Sequence, residues 1–354
     1  MAAAIFKWTC AVVVVVVACI PALMFALCEM HFARSLRGTF PFMTSPSSHG
    51  YSYAEIPDLA GKTALVTGAN AGLGYATASA LASQGATTVL ACRNLAKCEA
   101  AVASIRALPG VARGELVTAA TLDLSSLSAV SVFADEFKRT HDQLHSLILN
   151  AGVMHPPYTL SADGIELQWA VNHVAHQHLT QELLPLLEAS SPATITVVSS
   201  SGHFAPKVPV ELMLDAAALS DPDGYDKVGH YGTSKLGNVL MARQLASRLG
   251  PDSDVFVNSL NPGGVSTTLG RHHSEGLMYY IMSAVNSVTW TPETAALTQL
   301  YTATSPEIVE RRLTGAYFSP IARICEPSAA GSNATLAALL WDSTARLIDE
   351  KLGR

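Results

Sequence analysis

Between residues 63 and 260 the chain repeats one pattern: a short apolar run, a turn rich in small or polar residues, then a longer mixed stretch. The runs at 63–67, 87–92, 116–122, 147–150, 194–199 and 255–260 have strand length and are rich in Val, Ile, Leu and Thr. They are continuously apolar, which fits strands buried on both faces. The stretches at 75–84, 95–108, 126–140, 170–187 and 231–249 predict helices between them, and 315–318 is a candidate seventh strand. Strand–helix alternation of this kind predicts an α/β fold: one doubly wound, Rossmann-type parallel sheet with helices on both faces. Ligands of such sheets bind beyond the carboxyl ends of the strands.

The amino-terminal segment breaks this pattern. Residues 8–28 form an uncharged apolar run of 21 residues, including Val12 to Val17. That length spans a bilayer as a helix, and Pro21 inside it is tolerated in membrane helices. The rival is a cleaved signal peptide, whose apolar core is shorter and whose small-residue cleavage site does not follow promptly here. The expected organisation is an anchor with its flanks at 1–37, a Gly/Pro/Ser/Thr-rich linker at 38–57 and one catalytic-sized domain at 58–354. Lys7 precedes the run and Arg34 and Arg37 follow it, so charge does not set the orientation.

Composition narrows the classes. The chain is 49% hydrophobic with a net charge of −6, which argues for a full core and against nucleic acid as a partner. Three of the six cysteines lie in the apolar run, and Cys92, Cys98 and Cys325 do not read as a disulfide framework. That leans towards a domain facing the cytosol, on an endomembrane such as the endoplasmic reticulum. The sequon at Asn333 then reads as a chance match.

Two constellations carry chemistry. Gly68, Gly72 and Gly74 follow the first strand and open the first helix. Glycines let backbone approach a pyrophosphate, and a helix N-terminus favours its charge. The bland alternative is a tight turn. Tyr231 and Lys235, four apart, share one helix face. An ammonium beside a phenol lowers the phenol pKa and suits it to proton transfer.

Thr67-Gly68-x-x-x-Gly72-x-Gly74, Asn150-Ala-Gly152, Ser200, Tyr231-x-x-x-Lys235 and Asn261-Pro-Gly263 occur in that order. Together they resemble the short-chain dehydrogenases/reductases over residues 58–345. Ala91-Cys-Arg-Asn94, Val171-Asn-His173 and 315–320 resemble the subgroup of retinol dehydrogenases and the WW-domain-containing oxidoreductase. The long insert between Ser200 and Tyr231 points the same way.

The resemblance implies roles. Tyr231 is the acid/base, Lys235 tunes it and bonds the nicotinamide ribose, Ser200 holds the substrate oxygen, and Asn172 bends its helix and completes a water relay to Lys235. Gly68, Asn70, Gly72, Leu73 and Gly74 would hold the cofactor phosphates, and Asp123 and Leu124 the adenine. Asn150, Ala151, Gly152, Pro262, Gly263, Val265 and Thr267 would line the ribose and nicotinamide. Leu149 replaces the family's usual second Asn and should face the core. Residues 269–290 correspond to the family's substrate lid, and their apolar side chains fit an apolar substrate or the core. Arg93 ends the second strand where an acid would select NAD(H); an arginine suits the 2′-phosphate of NADP(H), the alternative being a solvated surface residue. The bland alternative for Asp123 is a helix cap, and for Ser199, Ser200 and Ser201 a cap or turn cluster. His173, His176 and His178 lack a carboxylate or thiol to complete a metal set and read as structural or rim residues, so no metal is expected.

The expectation is an NADP(H)-dependent oxidoreductase for a lipophilic alcohol or carbonyl, held at a membrane by its N-terminal helix, with a homodimer left open. Its alternative is a nucleotide-binding scaffold or redox sensor with little turnover.

Overall fold

The computed structural model describes residues 50–354 apart from 205, 207 and 266–289. The expected anchor at 1–37, linker residues 38–49, Thr267 and the 269–289 part of the lid segment lie outside the described residues. Among the described residues no helix is long and apolar enough to cross a membrane.

The strands are β1 (Thr63–Thr67), β2 (Thr87–Cys92), β3 (Val117–Thr121), β4 (Ser146–Leu149), β5 (Ala193–Val198), β6 (Val255–Leu260), β7 (Tyr317–Ser319) and β8 (Arg323–Cys325). They form one sheet in the order β3-β2-β1-β4-β5-β6-β7-β8. All neighbours are parallel except β7 and β8, which pair antiparallel. The chain winds outward from β1 to β3, then returns to lay β4 on the other side of β1. This reversal opens a crevice at the carboxyl ends of β1 and β4, where such sheets take ligands.

The longer helices are α1 (Gly72–Ser83), α2 (Leu95–Arg106), α3 (Leu127–Thr140), α4 (Ala175–Ala189), α5 (Lys227–Leu249), α6 (Pro292–Thr304) and α7 (Ala334–Leu352). One core layer joins Leu65, Leu147 and Ile195 to Phe133, Leu183, Leu240 and Trp341 of α3, α4, α5 and α7. The other joins Val66, Ile148 and Phe256 to Leu81, Ile105 and Leu300 of α1, α2 and α6. Adjacent strand residues such as Leu65 and Val66, or Leu147 and Ile148, feed opposite layers, as the two-residue repeat of a strand requires. Leu149 is fully buried in the first layer, as expected.

Several features depart from the sequence pattern. α6 is buried almost all round, from Ala295 to Ala303, and so has no polar face to betray a helical period. α7 does carry that period, in Leu336, Leu340, Trp341 and Ile348, behind an Asn333 cap whose Oδ1 accepts from Leu336 N–H at 3.0 Å. β8 is too short to show any period. Tyr51 and Ile56, in the stretch expected as linker, are buried against the core; Tyr51 meets the Tyr301 ring edge-on at 5.3 Å. The cysteines also differ from expectation. Cys92 at the end of β2 and Cys98 on the first turns of α2 are joined by a disulfide, their Cα atoms 5.9 Å apart. The strand-to-helix turn folds a six-residue separation back on itself, which spacing alone does not reveal.

Candidate active site

The glycine turn after β1 is built by conformation and by lack of space. Gly68 and Gly72 have φ of +66° and +56°, which favour glycine. A Cβ on Gly74 would sit 2.5 Å from Asn150 Nδ2 and 2.6 Å from the Gly68 carbonyl. α1 starts without a side-chain cap, since Ala71 holds the cap position. Its first amides are thus left to face a ligand. Uncapped amides beside glycines that let the backbone come close are what a pyrophosphate needs, so these residues fit a dinucleotide.

Asn150 supports this turn from β4. Its Nδ2 donates to the Thr67 carbonyl at 2.9 Å, and its Oδ1 accepts from Gln299 Nε2 at 3.1 Å. Thr67 Oγ1 accepts from the amides of Asn150 and Ala151 at 3.0 and 2.9 Å. Asn150 therefore shapes the site through its neighbours. Arg93 is exposed beyond β2 and pairs with nothing among the described residues. Asp123 closes the turn ahead of α3, its Oδ1 accepting from Ser125 N–H and Oγ at 2.9 and 2.6 Å, while the cap of that helix is Ser126. Leu124 is buried in the core. Gly263 has φ +90°, and a Cβ there would lie 3.1 Å from Pro320. Val265 bridges Trp290, whose N–H donates to the Gly264 carbonyl at 2.9 Å.

The proton-bearing groups lie beside this turn. Asp226 caps α5, its Oδ1 accepting from Val228 N–H at 3.0 Å. The helix then runs past the end of β5, so Lys235, almost fully buried, donates from Nζ to the Val198 carbonyl at 3.1 Å. A Cβ on Gly152 would lie 3.1 Å from Asn172 Oδ1 and 3.5 Å from Lys235 Nζ, so these three residues converge. Asn172 sits in a π-helical segment, Ala170–Val174, between the short helix Leu167–Trp169 and α4. Such bulges mark helices bent for a purpose. Its Nδ2 donates to Ser234 Oγ at 2.9 Å, and Ser234 Oγ donates to the Tyr231 carbonyl at 2.8 Å. Ser200 follows β5, and its Oγ accepts from Gly202 N–H at 3.1 Å. By contrast, Ser199 is buried and donates to the Lys235 carbonyl.

Electrostatics of the free protein differ from the sequence expectation at one point. Burial pushes the Tyr231 phenol above its usual value, with the Ser200 hydroxyl pulling the other way. Lys235 is pushed down to about 8, also by burial. Its Nζ lies 5.8 Å from the Tyr231 ring centroid and is turned to Val198. The spacing rightly puts both residues on one face, but burial sets the direction in which both shift.

The three clustered histidines are internal. His173 packs on Trp169 with ring centroids 4.5 Å apart, His176 spans Thr67 Oγ1 and the Asn172 carbonyl at 3.1 Å each, and His178 Nε2 meets Ser131 Oγ at 2.8 Å. Sequence reasoning passed over His155 and His203. His155 meets the Tyr231 ring edge-on, with centroids 5.5 Å apart. No periodicity marks either residue.

A parallel sheet with an open glycine turn at its switch point, beside a buried tyrosine–lysine pair, defines a dinucleotide-binding α/β protein equipped for proton transfer. The short chain dehydrogenase pattern matches residues 62–210. Retinol dehydrogenase 14 of Mus musculus is 41% identical over 270 residues, covering 73% of this chain and 77% of that one. The WW domain-containing oxidoreductase of Drosophila melanogaster is 39% identical over 295 residues, 83% of this chain and 70% of that one. A short chain dehydrogenase of Escherichia coli complexed with NADPH superposes with a TM-score of 0.56 at 25% identity, covering 74% of this chain and 97% of that one. The chain belongs to the short-chain dehydrogenase/reductase family, with retinol dehydrogenases and WW domain-containing oxidoreductases among its relatives.

Proposed function

We propose that this oxidoreductase uses NADP(H) to interconvert a lipophilic alcohol and its carbonyl, of retinoid, steroid or fatty-aldehyde type. The observation that carries the reading is the convergence of Tyr231, Lys235, Asn172 and Ser200 beside the glycine turn. When bound, the nicotinamide supplies or accepts the hydride. Tyr231, kept protonated by burial, gives its proton to the carbonyl oxygen in reduction and recovers it in oxidation. Ser200 Oγ holds that oxygen, and Lys235 supplies positive charge beneath it. Arg93, exposed and paired with nothing among the described residues, supports a 2′-phosphate over a free ribose hydroxyl. The relatives named retinol dehydrogenase and the apolar run at 8–28 support a lipophilic substrate met at a membrane. A panel of lipophilic alcohols and aldehydes, each with NADP(H) and NAD(H) and followed by nicotinamide absorbance, tests the reading. Turnover of none of them by the folded full chain would refute it.

A further inference from the structure

His203 lies three residues beyond Ser200, on the 3-10 turn Ser201–Phe204 that follows β5. It is fully buried, and both ring nitrogens meet backbone groups. The Ser200 carbonyl can only accept, so Nδ1, 2.7 Å away, carries the proton and donates. The Ser328 N–H can only donate, so Nε2, 3.1 Å away, is bare. The two bonds together fix one neutral tautomer. The ring also packs against Phe204 and Tyr317, at centroid distances of 4.1 and 4.8 Å.

This anchorage sits directly behind the reacting hydroxyls. A Cβ on Gly202, one residue before His203, would lie 3.4 Å from Tyr231 Cε1 and 3.6 Å from Ser200 Oγ. Rotating the turn would therefore move Ser200 Oγ relative to Tyr231. On the far side, Ser328 belongs to the loop before α7. Its Oγ accepts from Gly331 N–H at 3.1 Å, and Gly331 lies so near α5 that a Cβ there would meet Val239 Cγ1 at 3.2 Å. The imidazole thus ties the serine turn to a loop packed on the helix that carries Tyr231.

We propose that His203 is a positioning residue: its Nδ1–H imidazole orients the serine turn so that the Ser200 hydroxyl faces Tyr231, and it acts on the reaction only through Ser200. This rests on the proposed acid–base site, so two tests are needed, one of them independent of any substrate.

The first is nitrogen-15 spectroscopy of labelled histidines in the full chain at pH 7. The His203 signals are identified by their loss in His203→Gln or, should that variant not fold, by contacts to the Phe204 and Tyr317 rings. Protonated Nδ1 with bare Nε2 is expected; an Nε2–H tautomer or an imidazolium would overturn the assignment. The second test is kinetic, with NADPH and the best carbonyl of the panel. His203→Asn places an amide donor near the position of Nδ1, whereas His203→Gln carries its amide out towards Nε2. The glutamine variant should lose about tenfold in kcat, the scale of one lost hydrogen bond. The asparagine variant should recover most of that, and KM for NADPH should hold in both. In a Ser200→Ala background, His203→Gln should cost nothing more. Equal losses in both variants, or a multiplicative loss with Ser200→Ala, would make His203 a packing residue and end the proposal. Failure of wild type on every carbonyl would instead refute the proposed function, leaving the spectroscopic test to decide the placement of His203.

Discussion

Asn172 grips the backbone of Val153 twice: its Oδ1 accepts from the Val153 N–H at 2.8 Å, and its Nδ2 donates to the Val153 carbonyl at 3.0 Å. This reciprocal pair fastens the π-helical segment to the chain leaving β4, beside Gly152 and Lys235. Asn172→Ala would leave both backbone groups without this partner in a partly buried setting. Stability should fall by on the order of 2 kcal/mol or more in urea unfolding, and turnover should fall while Tyr231 remains in place. Wild-type stability in the variant would show that the pair contributes nothing net.

Tyr231→Phe keeps the ring and removes the transferable proton. General acid–base catalysis is worth roughly 10² to 10⁴ in rate, and kcat should fall by that much. NADPH affinity and thermal midpoint should stay near wild type. A variant with near wild-type turnover would disprove the proton-transfer role.

Arg93→Asp tests the choice of cofactor. A charge-assisted hydrogen bond is worth about 1.5–3 kcal/mol, so NADPH affinity, measured by fluorescence titration, should drop tenfold or more while NADH is little affected. An unchanged preference would return Arg93 to the role of a solvated surface residue.

Stability should fall on acidification. Burial pushes His173 and His176 down to about 3 and His203 down to about 4, so all three stay neutral in the fold at pH 5. The unfolded chain protonates them near 6.5. Between about pH 6 and pH 4 the unfolded state therefore binds more protons, and unfolding free energy should decline as pH falls. The slope is about 1.4 kcal/mol per pH unit for each proton taken up. His176→Gln should reduce the slope by roughly one proton. An unaltered slope would mean that His176 already titrates normally in the fold.

Under the proposed attachment to a membrane, Asn333 reports on which side the domain lies. It is exposed at the start of α7 within the sequon Asn333-Ala-Thr335. The expected cytosolic placement predicts no glycan and full sensitivity to protease added to intact microsomes. A mobility shift on deglycosylation would put the domain in the lumen, where the Cys92–Cys98 disulfide would also be at home.

The sequence alone determined most of the α/β frame. β1, β2 and β6 fall where the apolar runs predict, because buried parallel strands need continuous apolar residues and tight turns need glycine. It also set which chemistry is on offer: the glycine turn and the Tyr231–Lys235 spacing are local patterns, visible without neighbours, whereas Ser200 stands out from Ser199 and Ser201 only through the family resemblance. Tertiary structure decided what depends on distant partners. α6 is hidden because it is apolar on all sides, and β8 is three residues whose pairing with β7 gives no sequence period. Burial, not spacing, sets the direction in which Tyr231 and Lys235 shift, because desolvation depends on everything packed around them. The same holds for His203: only folding brings Ser328, 125 residues further along the chain, to its bare nitrogen.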